Sequence, residues 1–600
     1  MIHVGHILES ELLSYPLDSD GLLRKKKAVK RVLLEQDIQW LDKRIAVLGG
    51  STTNDIQDCL ELFLLQNGIR PSFYASEYNR YWENAIFGSP GLETFSPDII
   101  FIHTTSRNIL RWPVPGMEPQ EIDALLQNQF EHFRAMWSQL SERYRCPIIQ
   151  NNFERPPYRL MGNRDISDCC GKSNFIYRLN GLLYDYAGSH TDFFVHDIDY
   201  LAAQFGLSAW QDQRYWSLYK YGLSLKAIPE FARDLSHIIC SIYGKSKKAV
   251  TLDLDNTLWG GVVGDDGVNS LIMGPETPAG ESFTTFQEYL RDLKQLGVLL
   301  TVNSKNEQAN ALAGLRHPSC VLKPEDFAHI AANWLSKDVN MIDTAHALNL
   351  GLSSFVFVDD NPAEREIVRS HVPEVTVLDG STPERFLELL DHSGFFEVTI
   401  LTKDDLARSE MYRANALRTE LEQSCGSYQD YLLSLDMRAC IHSFTPVYMQ
   451  RIAQLTNKSN QFNLTTKRCT ESDIQRMAQD PTYITLCGQM EDKFGDNGVV
   501  AVAAGRIEGR RVHIELWLMS CRVLKRDMEL AMFDRFVDEC LAQSVDEIIG
   551  YYVPTSKNSM VRELYGQFGF DKTSEDEQGN TVWTYYVKDH IPKNKVIRIV

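Results

Sequence analysis

A chain of 600 residues with 44% hydrophobic content has apolar material for several cores, and its net charge of −19 speaks against general nucleic-acid binding. The N-terminus, Met1 to His6, lacks a basic region followed by an apolar stretch, and no apolar run reaches membrane length, so a cytoplasmic protein without membrane contact is expected. Twelve cysteines without paired metal-type spacing suit reduced thiols.

Residues 1 to about 245 alternate strand and helix signals. A buried strand from Arg44 runs into the small-residue turn Gly49-Gly50-Ser51. A helix pattern, Ile56 to Leu65, ends near Gly68, and apolar strands follow at 99–102, 147–150 and 193–195. This rhythm predicts a parallel sheet with helices on both faces. The Gly49-Gly50-Ser51 turn resembles the first block of SGNH-type hydrolases, which implies a nucleophilic Ser51 with Asn108 and Asn152 as oxyanion donors. The Asp-x-x-His pair of that family has no counterpart in Asp197-Ile198-Asp199-Tyr200. A serine without a base is a poor nucleophile, so residues 1–245 are expected to form a degenerate SGNH-like domain used for binding or scaffolding.

The small basic stretch Tyr243–Lys248 marks a boundary. After it, the apolar run Ala249–Leu252 ends in Asp253-Leu254-Asp255-Asn256-Thr257. Residues two apart in an extended strand end point the same way, so Asp253 and Asp255 project together. Two carboxylates held close call for a cation or a shared proton, and magnesium suits hard oxygen ligands. A helix with Phe283, Phe286, Leu290 and Leu293 on one face stops at Gly297. The strand Val298–Val302 runs into Asn303-Ser304, and Lys337 precedes a helix over 339–348. The strand Phe355–Val358 ends in Asp359-Asp360, and a further strand spans 375–378. Strand ends carrying DxD, Ser and Asp-Asp, with a Lys between, are what phosphoryl transfer through an aspartyl-phosphate needs. One carboxylate attacks phosphorus, a second moves the proton, a hydroxyl and an ammonium hold the phosphoryl oxygens, and a further acid completes the metal site.

Asp253-Leu254-Asp255-Asn256-Thr257, Ser304, Lys337 and Asp359-Asp360 resemble motifs I to IV of the haloacid dehalogenase (HAD) superfamily. The strings LDLDNTLWGGVVGDDG (252–267), SKNE (304–307), FVFVDDNPAERE (355–366), LTNKSNQFNLTT (455–466), FGDNGVV (494–500) and SCRVL (520–524) narrow the resemblance to the FkbH-like, HAD-IIIC family. The resemblance implies Asp253 as phosphoryl acceptor, Asp255 as general acid/base, and Ser304 and Lys337 as phosphoryl ligands. It places Mg2+ between Asp253, the Asp255 backbone carbonyl and one of Asp359 or Asp360. The short interval between the first two motifs resembles capless members, whose open site suits a bulky substrate or a carrier arm. Family members of polyketide pathways dephosphorylate a phosphorylated glycerate and load the glyceryl unit onto an acyl carrier protein, through a Cys just before the motif II Ser. That position is Asn303, and an amide cannot form a thioester. Cys521 is another thiol within a family string and a second candidate for the relay.

In the last third, a helix is predicted over 405–424. A hairpin follows, Val499–Ala504 and Val512–Leu518, with its turn at Glu508-Gly509. A helix from Asp527 to about Ala542, a strand over 548–553 and a helix over 559–565 complete it. This order resembles a GNAT acyltransferase. The stretch matching its pyrophosphate loop, Arg522–Asp527, lacks both glycines and brings an anion, which argues against coenzyme A. Lys525 and Arg526 remain for a carrier's phosphopantetheine phosphate. The polar cluster Asn457–Thr465 reads equally as a structural network or an acyl-recognition surface, and Asp496-Asn497-Gly498 as a turn.

The expected fold class is therefore multidomain α/β, with a Rossmann-like HAD core (246–400) between an SGNH-like domain (1–245) and a GNAT-like α+β domain (401–600). The expected function is a Mg2+-dependent phosphatase and glyceryl transferase acting with an acyl carrier protein. The alternatives are a plain phosphatase of a phosphorylated small metabolite or sugar, and a non-catalytic assembly protein.

Overall fold

The computed structural model describes residues 12–600 apart from residues 37, 556 and ten positions between 407 and 424. Half of the helix predicted over 405–424 lies outside the described residues. The chain divides into two compact units, one of residues up to Ile242 with Thr470–Asp473, the other of Tyr243–Cys469 with Ile474–Val600.

In the first unit, strands β1 (Leu41–Gly49), β2 (Ile69–Ala75), β3 (Ile99–His103), β4 (Ile148–Asn151) and β5 (Phe193–His196) form a parallel sheet in the order β2-β1-β3-β4-β5. Every residue of β3 and β4 is buried, as strands covered on both faces require. Strand β2 was not expected because it contains Pro71. At the sheet edge, the missing N–H of Pro71 costs no ladder bond. Strand order reverses between β1 and β3, and Gly49-Gly50-Ser51 leaves β1 at that crevice.

The second unit contains two sheets. Strands β6 (Ala249–Leu252), β7 (Leu299–Ser304), β8 (Phe327–Ala332), β9 (Phe355–Val358) and β10 (Thr376–Val377) are parallel, in the order β10-β9-β6-β7-β8. The chain fills one side of β6 with β7 and β8, then crosses to the other for β9 and β10. The reversal therefore falls at β6, and the crevice opens beyond the carboxyl ends of β6, β7 and β9. Below it, Leu299, Phe355 and Phe357 pack on Met341 and Ala345 of the helix Lys337–Ala347. The helix Pro278–Gln295 buries Phe286, Leu290 and Leu293. Each such side chain contributes about 1.5–3 kcal/mol of burial, which makes the strand ends a rigid platform.

The other sheet comprises β11 (Arg438–His442), β12 (Tyr483–Asp492), β13 (Gly495–Glu508), β14 (Arg511–Met519), β15 (Glu547–Tyr552), β16 (Asp571–Glu575), β17 (Thr581–Tyr586) and β18 (Arg598–Ile599). Its order is β16-β17-β15-β14-β13-β12-β11-β18. β11 to β14 are antiparallel, while β14 and β15 run parallel and pair only over Arg511–His513. Beyond that point the segment Phe462–Leu464 joins both strands. The Leu464 N–H donates to the Trp517 carbonyl at 3.1 Å, the Met519 N–H to the Phe462 carbonyl at 3.0 Å, and the Val553 N–H to the Leu464 carbonyl at 2.8 Å. Asp496-Asn497-Gly498 is not the turn between β12 and β13. The turn falls at Lys493-Phe494, and Asp496–Gly498 form a bulge in β13, where the Gly498 N–H donates to Asp496 Oδ1 at 2.7 Å. The chain is thus a multidomain α/β protein with two parallel sheets.

Candidate active site

The backbone carries Asp253 out of β6 with its N–H donating to the Val358 carbonyl at 3.0 Å, so the ladder with β9 extends to the first acid. Asn256 then adopts φ of +56°, a left-handed conformation that Asn tolerates, and the chain turns over Leu254. Asp253, Asp359 and Asp360 each offer a carboxylate oxygen, and these oxygens all lie within 4.8 Å of one another. Asp253 is 8% exposed and Asp359 fully buried, and Asp253 Oδ1 is buried without a hydrogen-bond partner. An orphaned carboxylate oxygen beside two further carboxylates fits a hard divalent cation.

Lys337, at the first turn of its helix, is buried against the same acids. Its Nζ lies 3.1 Å from Asp253 Oδ2 and hydrogen-bonds Asp359. Burial opposes the ammonium charge, but Asp253 and Asp359 overcome that and hold its pKa above the ordinary lysine value. Burial pushes the Asp359 pKa up, and the neighbouring charge of Asp253 adds to it against the pull of Lys337. Burial and the Asp253 charge also raise Asp360, whose N–H donates to Thr257 Oγ1 at 3.2 Å. Arg365 Nη1 donates to the carbonyls of Asp359, Asp360 and Gly380 at 2.8–2.9 Å and fixes the Asp-Asp loop. Ser304 is buried at the end of β7, its carbonyl taking the N–H groups of Asn306 and Asn333 at 3.1 and 3.2 Å.

The Asp255 side chain takes another course. Its Oδ1 accepts from the Trp259 indole at 2.8 Å and the Val263 N–H at 3.0 Å, and its Oδ2 accepts from Asn306 Nδ2 at 2.8 Å. Burial raises its pKa, an effect the charge of Asp253 adds to and these donors oppose. A carboxyl held outside the three-acid cluster and pushed toward its neutral form is suited to give and take a proton. Asn306 and Trp259 were not assigned roles from sequence. Their signals were a polar residue two places past the motif II Ser and an aromatic one turn past the second Asp.

Asn303 is fully buried, donates from Nδ2 to the Lys337 carbonyl at 2.8 Å and accepts from Asn340 at 3.1 Å. Both ends of its amide tie β7 to the helix that carries Lys337. Cys521 lies elsewhere, in the turn after β14, where its carbonyl accepts from Asn349 at 3.1 Å. Around the pyrophosphate-loop counterpart, Arg526 is buried and paired with Asp492 at 3.1 Å, as is Arg418 at 2.7 Å. In the polar cluster, the Asn457 amide donates to the Ala453 and Cys469 carbonyls and that of Asn463 to the Ser459 carbonyl, so these side chains serve the fold.

In the first unit, Ser51 is buried and its hydroxyl has no hydrogen-bond partner. The Asn108 amide donates to the Gly50 carbonyl at 3.2 Å, and that of Asn152 to Tyr184 and Asp197 at 2.8 and 2.6 Å, so both proposed oxyanion donors are engaged.

Residues 44–240 match the family described as FkbH, N-terminal domain. The chain is similar, at 28% identity and with a TM-score of 0.57, to the N-terminal part of the protein BF1531 from Bacteroides fragilis, a structure containing a phosphatase domain complexed with Mg. That similarity covers 62% of this chain and 99% of that one. A quarter of the chain is similar to the ribosomal-protein-S18-alanine N-acetyltransferase from Escherichia coli, at 11% identity, a TM-score of 0.20 and 94% coverage of that chain. Ard1 from Thermoplasma volcanium matches in the same way, at 19% identity, a TM-score of 0.19, and coverage of 25% of this chain and 97% of that one. No curated protein matches the chain. No described helix is long and apolar enough to cross a membrane. Residues 44–240 thus match the FkbH N-terminal domain, and the chain is similar to a structure that contains a phosphatase domain.

Proposed function

We propose that this protein is a magnesium-dependent phosphatase of a phosphorylated small hydroxy acid of glycerate type. Any acyl unit carried onward would pass directly from an acyl phosphate to the phosphopantetheine thiol of an acyl carrier protein, the sulfur attacking the carbonyl carbon, its proton lost to solvent and inorganic phosphate leaving. The observation that carries the hydrolytic reading is the buried cluster of Asp253, Asp359 and Asp360 around Lys337, with Asp255 held apart by Trp259, Val263 and Asn306. Magnesium held by Asp253, Asp359 and Asp360 would offset the charge of these acids and of the incoming phosphoryl group. An Asp253 carboxylate oxygen attacks phosphorus, the bond to the leaving oxygen breaks, and Asp255 supplies that oxygen with its proton. Asp255 then takes a proton from water, whose oxygen attacks the aspartyl-phosphate and releases phosphate, restoring Asp253. Lys337 and Ser304 hold the phosphoryl oxygens in place. The direct route for an acyl unit follows from Asn303, whose engaged amide has no thiol chemistry, and from Cys521, which stands outside the carboxylate cluster.

The test is phosphate release and intact mass after incubation with magnesium, 1,3-bisphosphoglycerate and an acyl carrier protein. Phosphate release abolished in Asp253→Asn supports the hydrolytic reading, and release unchanged in that variant overturns it. A glyceryl adduct on the carrier, replaced by a phosphoglyceryl adduct in Asp253→Asn, supports direct loading. An adduct on this chain itself overturns direct loading, and phosphate release without any adduct leaves a plain phosphatase.

A further inference from the structure

Two large apolar side chains stand exposed beside the proposed phosphoryl site. Trp334 is 69% exposed and Leu335 52%. They lie just past the carboxyl end of β8, whose last residue pairs with Ser304, and Lys337 follows two residues after Leu335. The segment is fixed by its neighbours. The Asn333 N–H donates to the Ser304 carbonyl at 3.2 Å. The Asn333 and Asn340 amides exchange hydrogen bonds at 3.1 and 3.0 Å, and Asn333 Oδ1 also takes the Leu335 N–H at 2.9 Å. The Trp334 indole donates to Glu307 Oε1 at 2.8 Å, in the loop that follows Ser304. The indole is thus tied to the loops that carry Ser304 and Lys337 while its ring stays open to solvent. Among the described residues no strand intervenes between β6 and β7, so that interval adds no sheet over the site.

An apolar surface held in place and left exposed forgoes the stability that burial gives, and such a surface marks a place where another molecule packs. Glu307 adds a second constraint. Among the described residues no cation pairs with it, so its negative charge stands unneutralised beside the indole. A ligand carboxylate laid along this surface would meet like charge. A neutral thioester would not, and the aliphatic arm that carries it supplies the apolar surface that a free hydroxy acid lacks.

We infer that Trp334 and Leu335 determine specificity at this site, selecting a phosphorylated acyl unit already held as a thioester on a pantetheine-type arm over the same unit as a free acid. The inference rests on the phosphatase reading and orders its steps: capture of the acyl unit by the thiol precedes removal of the phosphate. That removal consumes one water, breaks the bond between phosphorus and the ester oxygen, and leaves the thioester intact.

The test compares phosphate release by the full chain, with magnesium, from the pantetheine thioester of 3-phosphoglycerate and from 3-phosphoglycerate itself. The thioester should be preferred at least tenfold in kcat/KM. Trp334→Ala should reduce that preference to less than twofold, through a rise in KM for the thioester. Glu307→Gln keeps an acceptor for the indole and removes the charge, so it should narrow the preference at least threefold by raising kcat/KM for the free acid. Equal kcat/KM for the two substrates in the parent, or a preference undiminished in either variant, would overturn the inference and leave the phosphatase reading standing. Release from neither substrate would overturn it as well, and would take the phosphatase reading with it if p-nitrophenyl phosphate is also left intact.

Discussion

Lys337→Met isolates the electrostatics of the proposed catalytic centre. The side chain is 3% exposed, and its partners Asp253 and Asp359 are 11% and 0% exposed at their side chains. Methionine keeps the volume and removes the charge, so in metal-free protein two buried carboxylates lose their shared counter-ion. Breaking a buried pair in this way costs about 3–5 kcal/mol. At 1.4 kcal/mol per tenfold, that is roughly 100- to 3,000-fold more frequent opening of the strands that carry the acids. Amide hydrogen exchange by mass spectrometry, in EDTA, reads it directly in peptides spanning β6 and β9. Magnesium should then slow exchange more in the variant than in the parent, because the ammonium no longer opposes the cation. At one hundred times its dissociation constant, magnesium recovers about 2.7 kcal/mol. Equal exchange of parent and variant in EDTA would refute the claim that Lys337 holds Asp253 and Asp359 together, and with it the charge balance on which the metal assignment rests.

Three further outcomes follow from single contacts. A Cβ on Gly314 would stand 2.8 Å from Trp259 Cη2, so Gly314→Ala should displace the indole that holds Asp255 and lower phosphate release by about 100-fold, despite the better helix propensity of alanine. Asn303→Cys removes both amide bonds to the Lys337 helix and should cost about 1–3 kcal/mol in denaturant unfolding, with no acyl adduct appearing in the intact mass. Glu154 is fully buried beneath Ser106 and Gln211, and burial lifts its pKa from 4.5 to about 7. Its folded value exceeds its unfolded one, so its contribution is full below pH 4.5 and is lost as pH rises through 7, an effect of about 3 kcal/mol. The first unit should therefore lose stability between pH 5 and 8, and Glu154→Gln should flatten that slope. A slope unchanged in the variant would place the titration elsewhere.

The placement of the candidate site's residues was legible because they sit at strand ends, where a local pattern dictates a local direction. Ala249–Leu252 had to be a buried strand, and Asp253 had to emerge from its carboxyl end. The same logic recovered Ser304 and Asp359-Asp360. It failed where local signals were weak or contrary. Pro71 masked β2, and the mildly apolar Phe327-Ala328-His329 masked β8, both at sheet edges where tertiary pairing overrides propensity. Asp496-Asn497-Gly498 carried turn chemistry, but the register with β12 converted it into a bulge. Asp255 was read as the general acid/base, with only its backbone carbonyl at the metal, but the indole and amide donors that hold its carboxylate aside come from the fold.

A cavity of about 540 Å³ in the second unit, lined by cationic side chains, marks the limit of reading along the chain. Lys248, Arg408, Lys458, Arg522 and Lys557 come from five separate segments, and each alone reads as a solvated surface charge. What distinguishes them is convergence, which exists only once β6, β9, β14 and β15 are in place. The two ends of β6 then carry opposite problems. At its carboxyl end, three acids share one lysine and fit a cation. At its amino end, Lys248 and other cationic side chains line a cavity. A four-residue strand separates them, about 13 Å of rigid backbone, so a charge bound at either end is held at fixed distance from the other. At about 13 Å and an effective dielectric near 20, two unit charges interact by roughly 1 kcal/mol. Removing one cationic charge at the amino end, as in Lys248→Met, should therefore strengthen divalent-cation binding at the carboxyl end by about 2 kcal/mol, roughly thirtyfold. Magnesium titration of the parent and of Lys248→Met reads that coupling, and identical magnesium affinities would show that the two ends act independently.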